Sequence, residues 1–433
     1  MASGERVQFN NKTVEWIDSR LPIFSLMYRE YGVFPTPKNF NYFWNFGALA
    51  FFMLFTMIAT GIFLAMHFVP HEDYAFGSIE RIMRDVNWGW MMRYIHLNGA
   101  SMFFIAVYIH IFRGMYYGSY KNPRELLWIL GVTIFLLMMA TAFIGYSMTW
   151  SQMGGWAAVV ITNLFSDLPL FGNSLLYLIL GDYTVSNITL NRFFVLHFLL
   201  PFVILGVVVL HIAALHITGS NNPTGIEPKG PQDTLPFHPY YTTKDIFGLG
   251  VFLLIYSYLV FFNPMLLTHA DHFVEYDPLV TPAHIVPEWY FLPFYAILRS
   301  VIYEGVFAPL IVLEWIGITA KLGGVIAMIG SVAILFVLPW LDTHPVRSAR
   351  YRPLYKIFFL IWAANVVLLG YVGALTADAT VLGIPSIIVG QLSTAYYFSF
   401  FLVILPLLSV IEKPKPLPAS ISEAVLEEKG AKA

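Results

Sequence analysis

Four histidines in this chain form two pairs with a shared spacing. His96 and His110 lie in the apolar run RYIHLNGASMFFIAVYIHIF, and His197 and His211 lie in FFVLHFLLPFVILGVVVLHI, each pair fourteen residues apart. On a helix that interval rises about 21 Å. Its steps of about 100° leave the two side chains about 40° apart around the axis. Each run therefore presents two imidazoles on one face, one near either end. Two such helices set side by side make two bis-imidazole sites stacked along their length. That ligation suits a low-spin haem that only moves electrons, because no axial position stays open for oxygen. Unrelated polar residues facing a bundle interior would have no reason to share an interval.

The glycines repeat it. Gly47 and Gly61, and again Gly131 and Gly145, are fourteen residues apart. A flat macrocycle wedged into a four-helix bundle needs backbone without side chains beside it, which glycine supplies at some cost in helix stability. Small-residue packing between membrane helices would account for glycines, though not for this period. Arg93 lies three residues before His96 and Arg113 three after His110. Each sits about one turn nearer the surface than its histidine, where a guanidinium can pair with a haem propionate or simply anchor a helix end.

Proton chemistry has its own candidates. Glu288, in the PEWY of residues 287–290, sits in a largely apolar loop where a carboxylate can accept or relay a proton. Tyr290 is close in sequence, and Tyr146 ends an apolar run assigned to the same face. On the opposite face, His216, Ser220, Lys244 and Asp245 are polar groups at helix ends. Taken singly, each of these also fits ordinary loop polarity.

The elements that must hold these groups are membrane helices. The chain has 433 residues, 58% of them hydrophobic and only 12% charged, about half the charge of a typical soluble domain. Eight spans are expected, near 43–66, 92–117, 126–148, 193–216, 245–263, 322–340, 355–373 and 389–409, each of about 20 apolar residues. A net charge of −2 suggests no nucleic-acid partner. The absence of cysteine excludes disulfides, thiolate haem, iron–sulfur ligation, covalent c-type haem and a cysteine nucleophile on this chain. The N-terminal stretch MASGERVQFNNKTVEWIDSR has no signal-peptide h-region.

Lys and Arg concentrate before span one, after spans two, four and six, and in the tail, whereas 149–191 and 374–388 contain none. That alternation places both termini on the cytoplasmic side, or in the matrix of a mitochondrion. Of the long outside loops, 149–191 carries WAAVVITNLF, suited to an interfacial helix. The loop 264–321 carries polar THADHFVEYD, then PEWYFLPFYAILRS and the apolar GVFAPLIVLEWIGI. The Asn-, Gly- and Pro-rich stretch 217–243 is the best internal boundary. It divides a four-helix half, 1–216, from a second four-span region, 244–433.

The motifs HLNGAS, GMYYGSY, GSNNPTG, LNRFF, TPAHIVPEWYFLPFYAILRS and KLGGV, in this order and with these histidine intervals, resemble the cytochrome b family. Its members are the membrane subunits of ubiquinol–cytochrome c oxidoreductases, the cytochrome bc1 complexes. The resemblance spans residues 20–415. The undivided chain differs from the split cytochrome b6 and subunit IV of photosynthetic complexes. The insert at 302–320 and the long tail look like bacterial, alphaproteobacterial versions rather than mitochondrial ones.

The resemblance implies an all-α membrane fold of eight transmembrane helices, with two non-covalent b haems in the first four and amphipathic surface helices in the outside loops. It implies that His96 and His197 ligate a low-potential haem near the outside, and His110 and His211 a high-potential haem near the inside. Gly47, Gly61, Gly131 and Gly145 match haem-contact glycines. Glu288 and Tyr146, with Tyr290 beside them, match the quinol-oxidation site; His216, Ser220, Lys244 and Asp245 match the quinone-reduction site. The implied chemistry is a proton-translocating Q cycle in a bacterial inner membrane. The implied partners are a Rieske iron–sulfur protein, cytochrome c1 and a second copy of the complex. A di-haem anchor of a membrane dehydrogenase, or a transporter relaying protons through intramembrane histidines, are the rival readings.

One stretch departs from the family. Where relatives read GYVLPWGQMSFWGATVITN, this chain reads GYSMTWSQMGGWAAVVITN, Gly145–Asn163. Thr149 replaces a proline, Ser151 a glycine, Gly155 a phenylalanine and Ala157 a glycine. The resemblance places this stretch on the quinol-oxidation pocket, so a reshaped outside pocket is expected.

Overall fold

The computed structural model describes residues 6–430. The extreme ends, to which the expectation of two cytoplasmic termini refers, lie outside the described residues. Among the described residues, eight helices are long and apolar enough to cross a membrane. They are α1 Tyr42–Ala65, α2 Gly89–Tyr116, α3 Glu125–Ser147, α4 Asn187–Thr218, α5 Phe237–Phe261, α6 Ala320–Leu341, α7 Pro353–Ala374 and α8 Ser386–Ile411. All eight expected spans are present, with shifted ends. Helix α4 starts at Asn187 rather than 193 because Ser186 and Thr189 form a reciprocal cap. That cap extends the helix through a polar turn which hydropathy reads as loop. Helix α5 likewise takes in the polar turn PYYTTK before its apolar run, after a break at His238, whose backbone is extended (φ −95°, ψ 135°).

α1 packs on α2, α3 on α4, and α1 also meets α4. This closes a four-helix bundle around Leu49, Met53, Met102, Phe104, Phe135 and Ile204. Lipid is as apolar as these side chains, so close packing rather than the hydrophobic effect holds such helices together. α6, α7 and α8 gather around the short helix Leu292–Ser300, over a core that includes Tyr355, Trp362, Phe400 and Phe401. Trp128 Nε1 donates to the Leu335 carbonyl at 2.7 Å and ties α3 to α6. Leu199, Val209, Leu254 and Val367 point outward, as a lipid-facing surface requires.

One face is locked by ions and a short sheet. Arg352 donates to Asp342 at 2.7 Å and to Glu412 at 2.8 Å, and Lys121 lies 2.9 Å from Asp342. Arg124 grips Glu227 with two hydrogen bonds. Strands β1 Pro35–Pro37 and β2 Thr234–Pro236 pair antiparallel, Thr36 opposite Leu235, which lays the N-terminal segment against the loop following α4.

The other face carries the long loops. WAAVVITNLF falls largely in the helix Gln152–Leu164, where Ala157, Ala158, Thr162 and Leu164 are buried against protein. Its run of small residues lets neighbouring chain close over it. The apolar stretch of the insert forms a 3-10 helix, Gly305–Ile316, that leaves Trp315 and Ile316 exposed.

Candidate functional site

The histidines meet as their spacing requires. The rings of His96 and His197 lie with centroids 6.2 Å apart, and those of His110 and His211 6.4 Å apart. Two imidazoles on opposite sides of one metal, with metal–nitrogen bonds of about 2 Å and about 1.1 Å from nitrogen to ring centre, place their centroids about 6.2 Å apart. Both pairs therefore stand at the separation a shared metal would set.

Proton accounting supports a ligand role for the outer pair. The Thr60 hydroxyl gives its hydrogen to the Thr56 carbonyl at 2.7 Å, so at its 2.9 Å contact with His96 it accepts from Nδ1–H. His197 Nδ1 lies 2.8 Å from the Thr141 carbonyl, which can only accept. Both rings thus carry their proton on Nδ1 and keep the Nε2 lone pair free, the usual device for orienting a metal-binding imidazole. Pro201, one turn beyond His197, lacks the N–H that would bond the His197 carbonyl.

Each of the four glycines faces a different histidine. A Cβ built on Gly61 would lie 3.2 Å from His96 Cε1, on Gly47 3.3 Å from His110, on Gly131 3.2 Å from His211 and on Gly145 2.3 Å from His197. The glycines sit against the imidazole edges themselves, so a side chain there would push a ring. Arg113 reaches to 3.5 Å from His110 Nδ1, stacks over Trp44 and keeps a buried Nε with no partner. That orphaned cation fits a carboxylate-bearing group such as a haem propionate. Arg93 borders the outer cavity and lies over the Phe273 ring at 5.9 Å.

The outer pair opens into a cavity of about 260 Å³ whose walls also include Tyr146, Thr149, His272, Glu288 and Tyr290. Three of the residues singled out for proton chemistry on the outside therefore share one space with His96 and His197. The Glu288 side chain is 9% exposed and its Oε1 lies 3.7 Å from His272 Nε2. Tyr146 meets the His272 ring edge-on at 4.2 Å. The Tyr290 ring stacks on Phe104 at 4.0 Å, and its carbonyl accepts from the Tyr108 hydroxyl. Burial first, then the Glu288 carboxylate, pushes the Tyr290 hydroxyl well above its ordinary range, so it can donate a hydrogen bond and is no base.

The inside group is less compact. His216 Nε2 contacts the Glu30 carbonyl at 3.1 Å and Nδ1 the Ile212 carbonyl at 3.0 Å, with the Phe34 ring 4.6 Å away. Lys244 donates to the Phe40 carbonyl at 2.7 Å and Ser220 to the Asn221 carbonyl at 2.9 Å. Among the described residues no hydrogen bond joins His216 to Ser220, Lys244 or Asp245. Rings connect His216 and Lys244 instead: Tyr31 touches His216 and Phe237, Phe237 touches Tyr241, and Lys244 lies over Tyr241. Glu30, Tyr31 and Phe34, like Thr60, Thr141 and His272, are contacts that sequence reasoning did not single out.

An eight-span membrane bundle with paired-imidazole pockets facing glycine is the architecture of a membrane b-type cytochrome. The family model described as Cytochrome b/b6/petB matches residues 32–219, and that described as Cytochrome b(C-terminal)/b6/petD matches 275–398. The chain belongs to the cytochrome b/b6 family. It is 56% identical to a cytochrome b of Rhodospirillum rubrum, over 96% of this chain and 98% of that one. It is 54% identical to a protein of Bradyrhizobium diazoefficiens named cytochrome b/c1, over 100% of this chain and 60% of the relative. A solved chain titled Hyperthermophilic respiratory Complex III superposes with a TM-score of 0.83 at 32% identity, over 92% of this chain and 99% of that one. Membership implies haem b binding.

Proposed function

We propose that this chain is the membrane subunit of a bacterial quinol–cytochrome c reductase of the bc1 type. His96 and His197 would hold one haem b near the outside face, and His110 and His211 a second near the inside. The haems so held would supply one-electron carriers. Thr60 and Thr141 keep the outer imidazoles in the ligating tautomer. Arg93 and Arg113 offer cations to the cofactor's carboxylates, and Gly47, Gly61, Gly131 and Gly145 leave the rings room to stand.

Ubiquinol is oxidised in the outer cavity. Glu288 takes up a hydroxyl proton there, and Tyr146 and Tyr290, both phenols, orient the substrate by donation. One electron leaves to a Rieske iron–sulfur protein, cytochrome c1 and cytochrome c. The other crosses to a quinone at the inside site, where His216, Ser220, Lys244 and Asp245 bind the substrate and supply protons. Releasing protons outside and taking them up inside makes the cycle proton-translocating. The chain works in a homodimeric complex in the bacterial inner membrane with both termini cytoplasmic; 1–216 carries the haem bundle, 217–243 the inside linker and 244–433 the PEWY loop and tail.

The observation that carries this reading is the continuity of one cavity from His96 and His197 to Glu288 and Tyr146. The complex III likeness and the b/c1 name of the Bradyrhizobium relative support the partners. The test is quinol:cytochrome c turnover in membranes holding the complex, with and without an outside-site inhibitor. Inhibitor-sensitive turnover is expected; its absence overturns the reading.

A further inference from the structure

The wall of the outer cavity includes a second buried titratable ring, and a chain of hydroxyls leads to one of its nitrogens. His272 lies in the 3-10 turn Ala270–Phe273 and is 4% exposed. Its Nδ1 is 2.9 Å from Ser151 Oγ. Ser151 accepts the Gly154 N–H at 3.1 Å and lies 2.8 Å from Thr149 Oγ1, which itself donates to the Tyr146 carbonyl at 2.9 Å. A Thr149 hydrogen given to that carbonyl leaves Ser151 to donate to Thr149 and to accept from His272 Nδ1–H, the arrangement the proposal below adopts. Every hydroxyl in the chain is then satisfied. The lone pair is left on Nε2, which is buried, has no hydrogen-bond partner, and lies 3.7 Å from Glu288 Oε1. A buried polar atom without a partner calls for an explanation, and the residue that carries it lines the cavity.

The surrounding chain is built to hold that turn. Gln152 N–H donates to the Val274 carbonyl at 2.8 Å, and Gln152 Oε1 accepts the Asp277 N–H at 2.9 Å. A Cβ on Gly155 would lie 2.3 Å from the Tyr276 ring, so the small residue makes room for the segment that carries His272. The other charged or titratable groups beside the turn include Tyr146, Asp271, whose N–H donates to His269 Nδ1, Arg93 over the Phe273 ring, and Glu275, Tyr276 and Asp277, which follow the turn along the Ser151–Gln152 segment.

We propose that His272 is a proton-accepting catalytic residue of the outer site, working as a pair with Glu288 and held in its Nδ1–H tautomer by Ser151 and Thr149. This rests on the reading of the outer cavity as the quinol-oxidation site. Oxidation of one quinol to quinone breaks two O–H bonds and releases two electrons. One proton forms N–H at His272 Nε2 and the other protonates Glu288. The electrons pass singly to the two acceptors already named by class, an iron–sulfur centre and a b haem. The imidazolium forms within reach of Glu288, and both protons then leave to the outside phase. Ser151 acts through the ring and is a positioning residue.

The experiment uses the whole complex in membranes. His272→Asn keeps a donor toward Ser151 but provides no base. It is expected to retain both haem bands and to lower inhibitor-sensitive turnover at least about a hundredfold, the low side of what a general base contributes. His272→Ala is expected to be as slow and to regain turnover as imidazole is added, which a purely structural loss would not do. Ser151→Ala should lower turnover and move its pH profile, and should add no further loss in combination with His272→Asn. Wild-type turnover in His272→Asn, or a slow His272→Ala that imidazole leaves slow, overturns the proposal. If His272→Asn loses its haem bands, the imidazole response of His272→Ala decides. Absence of inhibitor-sensitive turnover in the native complex overturns the quinol-site reading itself, and the proposal with it.

Discussion

Gly145→Ala and Gly131→Ala make the same chemical change in the same helix at equivalent places, yet the structure separates them. A Cβ on Gly145 would lie 2.3 Å from His197 Cε1, 2.9 Å from Nδ1 and 3.0 Å from Nε2. Ordinary carbon contacts lie at about 3.5–4.0 Å, so the ring must move by more than about 1 Å. It cannot do so while Nδ1 keeps its 2.8 Å bond to the Thr141 carbonyl. On Gly131 the Cβ would lie 3.2 Å from His211 Cε1 and 3.7 Å from Nδ1, a strain a shift of a few tenths of an ångström relieves. Overpacking costs about 1–3 kcal/mol, with Gly145 at the upper end and Gly131 at the lower. The gain of about 1 kcal/mol in helix propensity is common to both and cancels in the comparison. A difference of about 2 kcal/mol corresponds to about 30-fold weaker cofactor retention at the outer site. The assay is a redox-poised visible difference spectrum after challenge with a haem-scavenging protein. The low-potential band should fade first in Gly145→Ala, and both bands should persist in Gly131→Ala. Equal sensitivity of the two variants, or full retention in Gly145→Ala, refutes the reasoning.

Other consequences are open to direct measurement. Glu288→Gln should slow quinol oxidation without altering either haem spectrum; an unchanged rate removes Glu288 from the mechanism. Arg113→Gln should weaken the inside haem band more than the outside one, because Arg113 Nε is buried without a protein partner. Burial alone would raise the Asp342 carboxyl, but Lys121 and Arg352 hold it below the ordinary carboxylate range. Its stabilisation is therefore fully present above about pH 4 and is lost as pH falls through the depressed folded value. Asp342→Asn should abolish that part of the acid dependence in thermal melts. It should also cost about 3–5 kcal/mol by leaving buried Lys121 without a carboxylate, Arg352 keeping Glu412; a melt that keeps the native acid slope contradicts this.

Much of the architecture was legible because membrane helices repeat. An interval of fourteen fixes both height and azimuth, so the histidines and glycines mark the stacked pairs in the sequence itself. Helix ends were less legible: the first turn of α4 is polar, and only its cap makes it helical. Contacts between distant segments could not be read at all. Thr60 and Thr141 serve histidines on neighbouring helices, which requires knowing how those helices rotate against one another. Glu30, Tyr31 and Phe34 reach His216 because β1 pairs with β2 about two hundred residues away in sequence. For His272 there was a signal. The hydroxyls of Thr149 and Ser151, where the family resemblance leads one to expect proline and glycine, needed a polar partner, and THADHFVEYD contained it.

The central claim is two bis-histidine haem sites at two depths of one bundle. The most direct measurement is a stepwise redox titration of the purified protein followed in the visible spectrum, with single ligand variants alongside. Two b-type bands titrating as one-electron steps are expected. His96→Ala or His197→Ala should remove one band, and His110→Ala or His211→Ala the other. A protein with no reducible b-type bands, or variants that keep their helical content yet lose both bands equally whichever histidine is changed, would contradict it.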